Sequence, residues 1–185
     1  YQHVVDLVAP ADLAILNQET PIANDLLEPS DYPLFNSPTQ LGDKMIDMGF
    51  NAISHSNNHI LDKGEKGLLA TLDYWDSRNI LVYGAYRDED DLNTIPTKEI
   101  NGIKFSFVGF MEHTNGLHLP KDSKAKLVYT SETETMKKLV EKASSISDVV
   151  VVSVHWGTEI TNTVTDQQRK QAKLFVDWGA DVIIG

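Results

Sequence analysis

The chain has 185 residues, 41% of them hydrophobic and 8% aromatic, which is the composition of an ordinary globular protein rather than a disordered one. Its formal net charge of −11 argues against broad contact with nucleic acid or anionic lipid, because both need a surplus of lysine and arginine. The sequence contains no cysteine, so disulfides, thiolate metal sites and thiol nucleophiles are excluded, and any metal must be held by oxygen and imidazole.

The first half of the chain alternates short apolar runs with helical patterns. A helix is predicted after Ser37, which can act as N-cap with Gln40 in a capping box, and this helix should end at Gly49. A second helix is predicted from the spacing of the apolar residues between Leu68 and Trp75. Three buried strands are predicted around these helices: Asp12–Leu16, Phe50–Ser54 and Ile80–Gly84.

The middle of the chain carries a different pattern. Residues 95–110, "IPTKEINGIKFSFVGF", predict two strands joined by Asn101-Gly102, the strongest short hairpin signal. The acidic run at 87–91 is expected to be a solvated loop. Residues 112–126 form a long irregular segment, and such segments in compact domains are often functional.

Helices and strands alternate again in the last third of the chain. Capping boxes predict helix starts at Ser131 with Glu134 and at Thr165 with Gln168. Residues 148–157, "DVVVVSVHWG", are typical of a strand buried on both faces, and residues 180–185 predict one more strand. Seven apolar residues at helical spacing are expected to be buried: Met136, Leu139, Val140, Ala143, Ala172, Phe175 and Val176. The elements together predict an α/β fold, with a mostly parallel buried sheet flanked by helices and an inserted antiparallel hairpin.

Polar side chains of metal-ligand type follow three of the predicted strands. The ends of these strands carry Asn17, Gln18 and Glu19; His55, Asn57, Asn58 and His59; and His155, with Glu159 just beyond. Ligands of open α/β sheets bind at the carboxyl ends of the strands, so we expect these three groups to converge in space.

Each candidate also has a purely structural interpretation. Asn57 and Asn58 fit turn geometry and an N-cap, His155 fits a hydrogen-bonded core histidine, Glu19 fits a solvated acid, and Asp62 fits a helix cap. The other four histidines have no partner visible in the sequence and are interpreted as structural or solvent-exposed: His3, His55, His113 and His118. The convergence of three strand ends favours the functional interpretation over these alternatives.

A site built from Glu, Asn and His without thiolate suits divalent Mn, Zn or Fe. An asparagine oxygen is a weak ligand alone, but it is useful at one corner of a two-metal cluster. Such clusters, with ions roughly 3.5–4 Å apart, generate hydroxide and clamp both oxygens of a displacement at phosphorus.

Three blocks of sequence resemble, in order, those of the CapA family, bacterial capsule-synthesis proteins associated with poly-γ-glutamate. The strongest elements are "NNHxxDxG" at 57–64 and "HWGxE" at 155–159, and the likeness runs from about Ala11 to Gly185. The resemblance implies a fold similar to the calcineurin-like metallophosphoesterases, in one domain over residues 1–185 that is expected to be truncated at both ends. The family's Gly-Asp and His-Pro-His elements would lie outside the chain, which would leave part of the ligand set here.

The resemblance also implies roles for individual residues. Glu19, Asn58 and His155 are expected to ligate metal, His59 to contact the phosphoryl group or its leaving oxygen, and Asp62 to orient His59. Five further residues are implied to contact the substrate or support the ligands: Asn17, Asn57, Glu159, Thr114 and Asn115. Two positions depart from the family pattern, since Gln18 stands where an apolar residue is usual and His55-Ser56 replaces small residues.

The function implied is capsule biosynthesis with a metal-dependent phosphoesterase-like site acting on an anionic polymer or a phosphoester. Other capsule-synthesis proteins are expected partners, and an extracytoplasmic location with a membrane anchor outside this chain is expected. Two alternatives stay open: a non-catalytic binding or scaffold component of a capsule machine, and a secreted nucleotidase-type phosphoesterase.

Overall fold

The computed structural model describes residues 3–185, and their strands form two sheets. The first sheet is parallel with the order β1-β2-β3, from β1 (Ile15–Asn17), β2 (Ala52–Ser54) and β3 (Leu81–Tyr83). The second sheet has the order β4-β5-β6-β7, from β4 (Thr97–Ile100), β5 (Ile103–Met111), β6 (Val149–His155) and β7 (Val182–Ile184). Its β4-β5 pair is the antiparallel hairpin predicted at Asn101-Gly102, and its other pairs are parallel.

Helices make the crossovers between the parallel strands. The helices are α1 (Val5–Val8), α2 (Thr39–Asp47), α3 (Gly64–Asp76), α4 (Glu89–Asn93), α5 (Thr133–Ile146) and α6 (Asp166–Asp177). Helices α2 and α3 link the strands of the first sheet, while α5 and α6 link β5 to β6 and β6 to β7. No helix among residues 3–185 is both long enough and apolar enough to cross a bilayer.

The two sheets pack face to face, and the helices cover their outer faces. On the inner side Ala52 and Tyr83 of the first sheet pack against Phe107 and Val151 of the second. The Tyr83 hydroxyl lies 2.8 Å from the Ser153 hydroxyl and joins the sheets across this interior.

Alternation along each strand sends every second residue outward to the helices. Phe110 and Val152 pack with Leu139 of α5 and Phe175 of α6, while Trp75 of α3 covers the first sheet. Burial on both faces explains the run of valines in β6. The predicted α/β class is therefore confirmed, and the division of the strands into two facing sheets is a feature that periodicity does not reveal.

The sheets approach closely where Gly109 of β5 meets the residues that follow β2 and β3. A Cβ atom at Gly109 would lie 2.7 Å from the Ser56 hydroxyl and 2.8 Å from the Gly84 Cα atom. Any larger side chain would push the sheets apart, so the glycine sets their separation at this point.

Several local predictions are wrong. Helix α2 begins after Pro38 without a side-chain cap, because the Ser37 hydroxyl pairs with the Thr20 hydroxyl at 2.6 Å instead. Helix α5 likewise has no side-chain cap, and Glu132 rather than Ser131 is its N-cap residue. The acidic run is not a loop but the start of α4.

Of the other local predictions, one is confirmed and one is wrong. The Asp88 side chain caps α4 by accepting a hydrogen bond from the Asp91 amide. The capping box of Thr165 and Gln168 is confirmed. Val176 is 59% exposed, so its predicted burial is wrong.

Candidate functional site

The carboxyl ends of strands from both sheets meet at one edge of the sandwich. Asn17 and Ser54 are paired in register at the ends of β1 and β2, and His155 ends β6 beside Met111 of β5. Between them lies a cavity of about 340 Å³, here called the strand-end cavity. Its wall includes Asn17, Ser54, Ser56, Ser153, His155 and Trp156. The predicted strand ends therefore lie together, and each sheet contributes part of the site.

Asn57 holds the turn after β2 against the end of β1. Its side-chain amide nitrogen donates to the Gln18 carbonyl at 3.0 Å and to the Asn17 side-chain oxygen at 3.2 Å. Its own side-chain oxygen accepts from the His59 backbone amide at 3.1 Å. Both ends of the Asn57 amide are occupied, so this residue supports the turn and is not free to bind a ligand.

His59 and Asp62 form the closest polar pair of the site. The Asp62 Oδ2 atom lies 2.7 Å from His59 Nδ1 and also accepts from the Phe35 backbone amide at 2.8 Å. The ring of Phe35 packs edge-on against His59, with 4.9 Å between the ring centroids. Because a carboxylate only accepts hydrogen bonds, Nδ1 carries the proton and Nε2 of the neutral ring keeps its lone pair.

Asn58 presents a buried side-chain oxygen that is not hydrogen-bonded to any of the residues the structure describes. The residue is 5% exposed. Its amide nitrogen donates to the Asn115 side-chain oxygen at 3.2 Å, whereas its Oδ1 atom has no partner among residues 3–185. Burying an unpaired carbonyl oxygen is unfavourable, so this atom is suited to a ligand that the protein would bind.

His155 and Glu19 face each other across the gap between the sheets. The His155 Nε2 atom lies 4.0 Å from a Glu19 carboxylate oxygen. Burial lowers the pKa of His155; the Glu19 and Glu159 carboxylates oppose this effect, and the charges of His113 and His59 reinforce it. A neutral imidazole beside a carboxylate is the state in which both groups can ligate a cation.

The loop after β5 closes the site from the second sheet. Asn115 adopts a left-handed conformation (φ 51°) and reaches Asn58, as described above. Thr114 turns away, because its hydroxyl donates to the Leu117 carbonyl at 2.6 Å and lies 3.0 Å from the Tyr129 hydroxyl. Thr114 therefore shapes the loop, while Asn115 takes part in the site.

Two residues of this loop were missed by the sequence reasoning. The Glu112 amide donates to the His155 carbonyl at 2.9 Å, and the Glu112 carboxylate accepts from the Gly157 amide at 2.9 Å. His113 lies near enough to affect the pKa of His155, although it was interpreted above as structural or solvent-exposed. The strand-end rule applied to β5 would have found both, because Glu112 and His113 directly follow Met111.

The other histidines stand apart from this geometry, and Glu159 affects it only through its charge on His155. His55 is fully buried, neither of its ring nitrogens has a partner among residues 3–185, and burial lowers its pKa to about 4. Its ring centroid lies 6.3 Å from that of Trp75, so it belongs to the packing beneath the turn. His3 and His118 are exposed, and so is Glu159.

The residues described here fit part of a divalent-metal site. Over residues 3–185 no three His, Asp, Glu or Cys side chains lie close enough together to hold a cation. The Glu19 carboxylate, the His155 imidazole and the unpaired Asn58 oxygen are nonetheless donors of the type that Mn, Zn and Fe accept. These residues supply a partial ligand set of one carboxylate, one imidazole and one amide oxygen.

Comparison with known proteins finds relatives that are all described as capsule or PGA biosynthesis proteins. A family model described as "Bacterial capsule synthesis protein PGA_cap" matches residues 1–185. The PGA biosynthesis protein CapA of Bacillus subtilis (strain 168) is 31% identical over 140 residues, covering 75% of this chain and 37% of that protein. The capsule biosynthesis protein CapA of Bacillus anthracis is 30% identical over 144 residues, covering 75% of this chain and 34% of that protein. The chain thus matches little more than a third of the length of these relatives.

A solved structure shares the fold. It is the crystal structure of a protein named as a 5′-nucleotidase from Staphylococcus aureus, in complex with alpha-ketoglutarate. The TM-score is 0.50 with 17% sequence identity, over 77% of this chain and 29% of that one. At this identity the likeness shows a shared α/β fold and nothing about the substrate.

Proposed function

Because this chain belongs to the PGA_cap family of bacterial capsule synthesis proteins, we propose that its strand-end site is a metal-dependent phosphoesterase-like centre. It would hydrolyse or transfer at a phosphoester or related bond during assembly or anchoring of an anionic capsule polymer such as poly-γ-glutamate. The single observation that carries the proposal is the grouping, at one sheet edge, of a carboxylate-oriented histidine with the unpaired buried oxygen of Asn58.

Each side chain has a role in this proposal. Asn58, His155 and Glu19 would hold a divalent cation, which supplies positive charge and an activated water at this edge. Asp62 fixes the orientation of the His59 ring through Nδ1, and His59 Nε2 would exchange a proton with the leaving oxygen. Phe35 packs on the same ring and limits its rotation.

The remaining polar residues support those groups. Asn57 braces the turn that carries Asn58 and His59, and Asn17 accepts one of its hydrogen bonds. The Asn115 side-chain oxygen accepts a hydrogen bond from the Asn58 amide nitrogen, so the Asn58 oxygen would remain available to the cation. Glu159 adds negative charge near His155 and would tune its affinity for a cation.

An extracytoplasmic location with an anchor in a segment outside this chain, and association with other capsule-synthesis proteins, complete the proposal. The net charge of −11 disfavours broad contact with a polyanion. An anionic polymer would therefore contact this protein only around the bound cation, whose positive charge would outweigh the negative charge of the nearby residues.

A non-catalytic binding role in a capsule machine is the second candidate. It is favoured by one observation, namely that no three His, Asp, Glu or Cys side chains converge anywhere in residues 3–185. Such a component would share the fold and the orienting His59–Asp62 pair without turnover.

Elemental analysis combined with phosphatase assays separates the two candidates. Full-length protein, His59→Ala, His155→Ala and the exposed control His118→Ala are compared for bound metal and for hydrolysis of p-nitrophenyl phosphate and bis-p-nitrophenyl phosphate. The enzyme proposal expects near-stoichiometric metal, loss of metal in His155→Ala, loss of turnover in both site variants, and an unchanged control. Metal-free wild-type protein without turnover after addition of Mn²⁺ or Zn²⁺ would overturn it in favour of the binding role.

A further inference from the structure

A second cavity shares Trp156 with the strand-end cavity. Its volume is about 180 Å³, and Trp156 lines both cavities. We call it the glutamine cavity, because its wall includes Gln167, Gln168 and Gln171 together with Glu112, Trp156 and Thr158. A group bound in the glutamine cavity would therefore contact the residue that follows His155 in the chain.

Internal hydrogen bonds fix most of this wall in place. The Gln168 side chain accepts from the Thr165 backbone amide at 2.8 Å in the capping box of α6. The Gln171 amide nitrogen donates to the Thr130 carbonyl at 3.0 Å. These amides are held before any ligand arrives, and a preformed wall lowers the entropy lost on binding.

Gly157 completes the wall by letting Gln168 approach the backbone. Its φ angle is 96°, and a Cβ atom there would lie 2.5 Å from the Gln168 amide nitrogen. The Gly157 amide in turn donates to one carboxylate oxygen of Glu112. The same glycine thus joins the loop after β5, the end of β6 and the start of α6.

Other polar groups of the wall are left open to a ligand. The Gln167 amide and the Thr158 hydroxyl make no hydrogen bond to the described part of the chain, and both residues are exposed. One Glu112 oxygen is engaged by Gly157, which leaves the other available as an acceptor. The wall therefore offers donors and acceptors around the indole of Trp156.

The charge of the wall excludes an anionic occupant. No lysine or arginine lines the glutamine cavity, and its one ionisable group is the Glu112 carboxylate. A second carboxylate or phosphate bound here would meet a like charge without any compensating cation. Hydroxyl groups, in contrast, can both accept from the Gln167 amide and donate to Glu112.

We propose that the glutamine cavity binds an uncharged sugar unit attached to the phosphoester that reacts at the strand-end site, so that the substrate is a sugar phosphoester rather than the polyglutamate chain itself. The indole of Trp156 offers an apolar surface to the ring, and Thr158, Gln167 and Glu112 take its hydroxyls. The cavity is smaller than the roughly 300–1,000 Å³ of drug-sized ligand sites, in keeping with one such unit. This inference rests on the proposed function only for the identity of the reacting bond.

Binding is tested first, because it does not depend on turnover. Full-length, ¹⁵N-labelled protein is titrated with glucose, with N-acetylglucosamine and with glutamate, while the Trp156 indole and Gln167 side-chain signals are followed by NMR. Both sugars are expected to shift these signals at millimolar concentration, and glutamate is expected to leave them in place. Larger shifts with N-acetylglucosamine alone would assign the cavity to an amide-bearing sugar.

Variants locate the site of any shift and its effect on specificity. Gln167→Ala and Thr158→Val should each weaken sugar binding about three- to tenfold, the loss expected for one neutral hydrogen bond, while the exposed helix residue Gln40 provides the control Gln40→Ala. The same variants should lower kcat/KM for glucose 1-phosphate by a similar factor and leave kcat/KM for p-nitrophenyl phosphate unchanged.

The outcomes for the cavity and for the enzyme are separable. Sugar-induced shifts in a protein that never hydrolyses a phosphoester would support the cavity and refute the proposed reaction. Turnover without any sugar-induced shift, or equal shifts with glutamate, would refute the cavity and leave the reaction standing. An unchanged sugar affinity in both Gln167→Ala and Thr158→Val would place the sugar elsewhere and overturn the inference.

Discussion

Replacing Asp62 tests whether this carboxylate positions His59. A single oxygen, Oδ2, accepts both from His59 Nδ1 at 2.7 Å and from the Phe35 amide at 2.8 Å, and the other oxygen has no partner among residues 3–185. An amide oxygen can take the place of Oδ2, so Asp62→Asn should keep both bonds but lose the assistance of the charge. Asp62→Ala removes both bonds.

The expected magnitudes follow from those contacts. Hydrogen bonds to a charged group contribute about 1.5–3 kcal/mol each, and neutral ones are about half as strong. With two such bonds, the free energy of unfolding should fall by about 1.5–3 kcal/mol in Asp62→Asn and by about 3–6 kcal/mol in Asp62→Ala. Loss of a residue that orients a ligand or catalytic histidine typically reduces activity about 10- to 100-fold, with the alanine variant at the upper end.

The assays are urea unfolding, phosphoester hydrolysis, and ¹⁵N NMR of the His59 ring. The ring should stay protonated at Nδ1 in Asp62→Asn and should exchange between tautomers in Asp62→Ala. Asp122→Asn changes an exposed aspartate and controls for the loss of charge. If the alanine variant kept both the Nδ1-protonated ring and wild-type kcat, the positioning role of Asp62 would be refuted.

Three further predictions concern stability. Burial lowers the pKa of His55 from 6.5 to about 4 in the folded protein. As the pH falls, the unfolded chain therefore takes up a proton at this residue before the folded chain does. The free energy of unfolding should fall by about 3 kcal/mol between pH 6.5 and pH 4. Urea unfolding should show this slope in the wild type and not in His55→Gln; a flat wild-type profile would contradict it. Gly109→Ala forces a Cβ atom to within 2.7 Å of the Ser56 hydroxyl. The free energy of unfolding should fall by about 1–3 kcal/mol. In thermal unfolding this corresponds to a decrease in Tm of about 2–4 °C for each kcal/mol. Thr165→Ala removes the N-cap of α6 and should lower the free energy of unfolding by about 1 kcal/mol. Ser131→Ala should change it by no more than about 0.5 kcal/mol, because Ser131 does not cap α5. Equal losses in urea unfolding would mean that the two helix starts are capped alike.

Much of the fold could be predicted because local patterns and tertiary packing agree. The valines of β6, the hairpin at Asn101-Gly102 and the capping box at Thr165 each depend on neighbours close in the chain. The capping boxes predicted at Ser37 and Ser131 do not form. At Ser37 the reason is a tertiary contact, because its hydroxyl pairs with the hydroxyl of Thr20. Nothing in the structure explains why Ser131 is passed over.

The candidate site could be predicted as a set of strand ends but not as a network. Polar residues after β1, β2 and β6 indicated which side chains would lie together, since parallel strands end at a common edge. The contacts of Asn58 with Asn115 and of Asn57 with Asn17 join positions 57 and 40 residues apart in the chain. Pairing at such separations depends on which sheet each strand enters, and hydrophobic periodicity carries no information about that.

The facing sheets make the site dependent on the interior of the protein. Asn58 and His59 follow a strand of the first sheet, while His155 ends a strand of the second, and the hydroxyls of Tyr83 and Ser153 join the two sheets below them. A change deep in the sandwich therefore alters the spacing between the two halves of the proposed cation site without touching any of its residues. Metal affinity should thus respond to loosened packing at temperatures where the secondary structure is still intact, and it would serve as a sensitive reporter of how tightly the two layers are held.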